Sequence, residues 1–77
     1  MKTIAESIRM IERRFDIFPA KFDWRGRVYR VDAVNECKTI TDTRGVPAAF
    51  HYWVRCDDQR FHLEEIVPSG HWSVHHD

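Results

Sequence analysis

The sequence predicts an α+β domain, in which an N-terminal amphipathic helix precedes a strongly bent antiparallel sheet of about five strands or a small, partly open barrel of the SH3-like kind. Three observations predict it. Ile4, Ile8, Ile11 and Phe15 recur at spacings of four, three and four, which is one apolar stripe of a helix. Residues 21–34 (K-F-D-W-R-G-R-V-Y-R-V-D-A-V) have the signature of a β-hairpin turning at Arg25 and Gly26. Residues 49–56 (A-F-H-Y-W-V-R-C) alternate cleanly, as a strand with one buried face does. The 77 residues make one domain, residues 1–77, with the helix at about 3–16 and the sheet at about 20–76.

The helix has a start and a stop. Thr3 and Glu6 fit a capping box, and Pro19 disfavours helix at Phe18, so the helix should end near residues 15–17. Its stripe then packs on the sheet. In the hairpin, Trp24 faces Arg27 and Phe22 faces Tyr29, with Val31 and Ala33 continuing on that side, while Lys21, Asp23, Val28, Arg30 and Asp32 take the other. Residues 34–41 form a further extended stretch, re-phased by a bulge or bend near residues 32–35. The run D-T-R-G-V-P at 42–47 is the strongest turn signal in the chain. Beyond it, Phe50, Tyr52, Val54 and Cys56 should face the core, opposite His51, Trp53 and Arg55. A polar turn at residues 57–59 makes a second hairpin, setting Phe61, Leu63 and Glu65 against His62, Glu64 and Ile66. After Pro68, Ser69 and Gly70, a last short strand points Trp72 and Val74 together and His75 and His76 apart.

Ten aromatic side chains supply the core of so small a domain, because each buries about 150–250 Å². The net charge is zero, which removes any global attraction to nucleic acid or anionic lipid. Its distribution is uneven. Residues 9–31 carry seven cations against three anions, and residues 32–77 carry four against eight. Either the halves neutralise one another across the fold or they polarise a binding surface. No apolar run has signal-peptide or membrane-spanning length, so a cytoplasmic protein is expected, with Cys37 and Cys56 as buried thiols.

Catalysis is not expected. The chain has no nucleophile elbow and no glycine-rich phosphate loop, and its paired carboxylates, Asp57-Asp58 and Glu64-Glu65, fit a solvated turn and a strand edge. No cofactor or metal is expected either, because Cys-x-x-Cys and helical His-x-x-x-His spacings are absent; a cross-strand set such as Cys37, Cys56 and His62 is the alternative. The candidate binding residues are Arg25, Arg27, Arg30, Trp53 and Arg55. Guanidinium groups beside an aromatic ring are how small barrels hold single-stranded nucleic acid. Against that, Trp53 would complete a second core layer if the helix covered it.

The run Phe22-x-Trp24-Arg25-Gly26-Arg27-x-Tyr29-x-Val31, followed by Tyr52-x-Val54, Phe61-x-Leu63 and Gly70-x-Trp72, resembles a family of small bacterial domains without assigned activity. Members of that family occur alone or near, and sometimes joined to, relatives of Y-family DNA polymerases. The likeness spans residues 22–74 and rests on spaced aromatics, with Cys37 standing where a large aromatic belongs and the N-terminal helix outside the pattern. It implies a non-enzymatic binding module whose partner is a nucleic acid or a DNA-repair protein. The alternative is a protein-interaction or homo-oligomeric domain that pairs through an exposed strand edge. A membrane partner is not expected.

Overall fold

The computed structural model describes residues 3–76 and contains seven strands and no helix. They are β1 (Ile4–Arg14), β2 (Phe18–Trp24), β3 (Arg27–Arg30), β4 (Ala33–Thr41), β5 (Pro47–Cys56), β6 (Gln59–Ile66) and β7 (His71–His76). Asp77, one of the eight anions counted over residues 32–77, lies outside the described residues. All neighbours pair antiparallel, in the order β3-β2-β1-β7-β6-β5-β4, and the sheet curls into a half-barrel. Among the described residues no helix is long and apolar enough to cross a membrane.

The fold is therefore all-β, which corrects the α+β expectation, its helix at 3–16 and its count of about five strands. The stretch read as a helix is the longest strand, β1, inside the sheet between β2 and β7. A spacing of four is also a multiple of two, so Ile4 and Ile8 share a strand face as readily as a helix face. Ile11 and Phe15 do not join them. Of the four stripe residues only Ile8 is buried, and Phe15 is 80% exposed at the turn between β1 and β2. The Glu6 carboxylate, expected to close a capping box, instead accepts from Arg25 Nε at 3.1 Å and Arg25 Nη2 at 2.5 Å and also meets His76. Hydrogen bonding on both sides outweighs a helical preference worth only tenths of a kcal/mol per residue.

The first hairpin has the register expected of it. Phe22 pairs Tyr29 and Trp24 pairs Arg27, around a turn in which Arg25 and Gly26 take φ of 56° and 76°. Two successive left-handed residues match the twist of the flanking strands, and Gly26 adopts that conformation without a Cβ penalty. Phe22 is completely buried, stacked on Tyr29 at 5.3 Å and edge-on to Phe61 of β6 at 5.7 Å. Because β2 and β6 are not hydrogen-bonded neighbours, that contact arises from the curl. Phe22, Val31, Tyr52, Val54, Cys56, Leu63, Trp72 and Val74 together with Ile8 form the core on the concave face.

The two edge strands are consecutive in the chain. Between them, Val31 N–H donates to the Ala20 carbonyl at 2.9 Å and Asp32 N–H to the Arg55 carbonyl at 2.8 Å. The backbone thus passes directly from β2 to β5 and ties the two edges at one corner. Beyond that corner β4 has no neighbour on its outer side among the described residues. A shift in register between Val34 and Glu36 supplies the bulge expected there.

Candidate functional site

The convex face of β5, β6 and β7 carries an unusual set of side chains, assembled by register. Trp53 pairs His62 and His62 pairs His75, so these three rings form one row across the sheet. His51 pairs Glu64 in the next row, and Arg55 pairs Arg60 in the row on the other side. Direct antiparallel partners have Cβ atoms about 4.5–5.5 Å apart, which forces each pair into contact.

The rings in the middle row stack. Trp53 lies on His62 at 4.5 Å and 13°, and His62 on His75 at 4.5 Å and 23°. His51 Nδ1 and His62 Nε2 are 2.7 Å apart, so one imidazole donates to a lone pair on the other. The Glu64 carboxylate closes the group, with one oxygen 3.3 Å from His51 Nε2 and the other 2.9 Å from His75 Nε2. Although they stand on the outer side of the sheet, the His51, Glu64 and His75 side chains are only 17–21% exposed, because they cover one another. Burial, followed by the neighbouring His75 and His51, pushes the His62 pKa below its ordinary value, with Glu64 opposing.

Arg55 and Arg60 are exposed and meet no carboxylate among the described residues. Like charges directly opposite each other repel, so this pair lowers stability unless an anion lies between. A cleft of ≈ 590 Å³ at the same end of the sheet is lined by Trp53, His62 and His75 from one face, Trp24 and Phe61 from the other, and Arg60. Trp24 Nε1 is buried there and has no hydrogen-bond acceptor among the described residues.

The sequence-level candidates divide between two places. Trp53 and Arg55 lie on the convex face of β5. Trp53 is half-buried against His62 and covered by no helix, which corrects its expected place in a second core layer. Arg25, Arg27 and Arg30 belong to the first hairpin. Arg25 is ion-paired to Glu6 and lies over Trp24 at 4.8 Å, Arg27 lies over Tyr29 at 5.1 Å, and Arg30 is exposed opposite Lys21. The Glu6 carboxylate is held below its ordinary pKa chiefly by the Arg25 guanidinium, so that arginine already has an anion. His51, Arg60, His62, Glu64 and His75 are the members of the site that sequence reasoning missed. The signal was present: folding residues 49–56 onto 59–66 about a two-residue turn sets Trp53 opposite His62 and Arg55 opposite Arg60.

Cys56 is buried as expected, and burial followed by Asp32 and Asp57 raises its pKa to about 11, which leaves a protonated, poorly nucleophilic thiol. Cys37, expected to be buried too, is exposed, because β4 is an edge strand. Among the described residues no group of three His, Cys, Asp or Glu side chains is arranged to hold a metal ion. Comparison of the chain with protein-family models, with curated proteins and with solved structures gives no match.

Proposed function

We propose that the domain is a non-enzymatic binding module that holds single-stranded nucleic acid on the convex face of β5 and β6. The observation that carries this reading is the unneutralised Arg55 and Arg60 pair set directly beside the Trp53 and His62 stack. Adjacent phosphates of a single strand supply the anion that the arginines lack, and an unpaired base packs on the exposed part of the Trp53 ring, beside Glu36 of β4. Because the net charge is zero, affinity rests on this local patch alone. Resemblance of the spaced aromatics to domains found beside Y-family polymerase relatives favours DNA met during repair, and two free thiols suit a reducing compartment such as the cytoplasm.

Fluorescence anisotropy of a labelled single-stranded oligonucleotide tests the proposal. Affinity should fall steeply with salt, and Arg55→Ala should lower the slope of log K against log salt by about 0.7, the value per single-strand phosphate contact. Trp53→Ala should weaken binding by about 1–3 kcal/mol and leave the slope unchanged. Absence of binding at low salt refutes the proposal.

A further inference from the structure

Among the described residues the outer edge of β4 has no neighbour, and every residue from 35 to 41 is exposed. Long exposed edges are ordinarily blunted by proline, by a bulge in mid-strand or by charged side chains, lysine above all; on β4 the charge is Lys38, and Glu36 of opposite sign stands two residues away on the same face. Here the register shifts fall next to Asn35 and between Ile40 and Thr41, so residues 36–40 run as regular strand without proline or glycine. Their sequence is Glu36-Cys37-Lys38-Thr39-Ile40. Glu36 and Lys38 share the convex face, since they pair Trp53 and His51, while Cys37 pairs the buried Tyr52 on the other face.

We infer that this edge docks a second copy of the same chain, the two β4 strands pairing antiparallel about a two-fold axis at Cys37. Side-chain direction limits the choices. In a continuous sheet partners share a face, so a two-fold axis must pass through a residue and its own copy. An axis at Cys37 sets Glu36 opposite the partner's Lys38, and Lys38 opposite the partner's Glu36. Moving the axis one residue either way sets Glu36 against the partner's Glu36, or Lys38 against the partner's Lys38. The charges therefore select one register and oppose its two neighbours. The side of β4 that bears Cys37 also walls an apolar groove of ≈ 500 Å³, shared with Phe15, Phe18, Pro19, Val31 and Val34. This inference stands on the edge of β4 and is independent of nucleic-acid binding.

Sedimentation equilibrium of the full chain up to millimolar concentration, at low salt, tests it. The wild type should dimerise, and Glu36→Lys and Lys38→Glu should each weaken the homodimer by about tenfold or more. Mixed in equal amounts, the two variants should associate with each other, because one strand then carries two lysines and the other two glutamates. A short bis-maleimide should link Cys37 to the partner's Cys37 in the wild type and in the mixture, and not in either variant alone. A wild type that stays monomeric, or a dimer indifferent to both reversals and to mixing, overturns the inference.

Discussion

The curl of the sheet is tested by a coupling between two residues that hydrogen bonding does not connect. Phe22 of β2 is wholly buried and meets Phe61 of β6 edge-on at 5.7 Å. Replacing Phe22 with alanine removes a buried ring, which costs about 3–5 kcal/mol. A domain of this size is stabilised by roughly 4–12 kcal/mol in total, so Phe22→Ala should lose much of its folded population. Milder changes give a cleaner measurement. Phe22→Leu and Phe61→Leu keep most of the apolar volume and remove the ring pair, which contributes about 0.5–1.5 kcal/mol beyond burial. Urea unfolding followed by tryptophan fluorescence, run on both single variants and the double variant, yields that coupling directly. If the losses add to within about 0.3 kcal/mol, the first hairpin does not lie over β6 and the half-barrel is wrong.

Three further outcomes follow from the same geometry. The His62 pKa is lowered in the fold, so its contribution is fully present above the unfolded value of about 6.5 and is lost as pH falls through the folded value. Stability measured by urea midpoint should therefore decline below pH 6.5, and His62→Gln should flatten that decline; an unchanged profile contradicts the cluster of His51, His62, His75 and Glu64. With a thiol reagent at pH 8, Cys37 should react at once and Cys56 only on unfolding, and two fast equivalents would place Cys56 outside the core. Phe15 and Asp16 both hold φ of 57° in the turn between β1 and β2, a conformation suited to Asn-Gly. The double change Phe15→Asn, Asp16→Gly should raise stability by about 1 kcal/mol or more in thermal unfolding, and a loss would refute that turn.

Much of the sheet is legible in the sequence because period-two alternation and turn residues act locally. The pairing of Phe22 with Tyr29, the inward set Tyr52, Val54 and Cys56, the shared direction of Trp72 and Val74 and the bulge near Asn35 all follow from such signals. β1 is not legible in the same way. Its isoleucines satisfy a helical period by coincidence, and what decides the matter is the pair of flanking strands, β2 and β7, the second of which lies some sixty residues away. Loss of the helix also reverses the place of Trp53, from beneath a helix to an open face. Only two members of the candidate site were legible, for the same reason. Trp53 and Arg55 are marked by alternation within one strand, whereas His62, His75, Glu64 and Arg60 join them only through register between strands. Arg25, conspicuous beside its turn, is engaged by Glu6, a contact made by bringing β1 beside the hairpin.

The most direct measurement is residue-level mapping by amide chemical-shift changes as a short single-stranded oligonucleotide is titrated into the labelled protein. Shifts should concentrate on Trp53, Arg55, Arg60, His62 and His75, with the indole N–H signal of Trp53 moving as well. Shifts confined to the turn at Arg25, Gly26 and Arg27, or none at low salt, would contradict the proposed binding face.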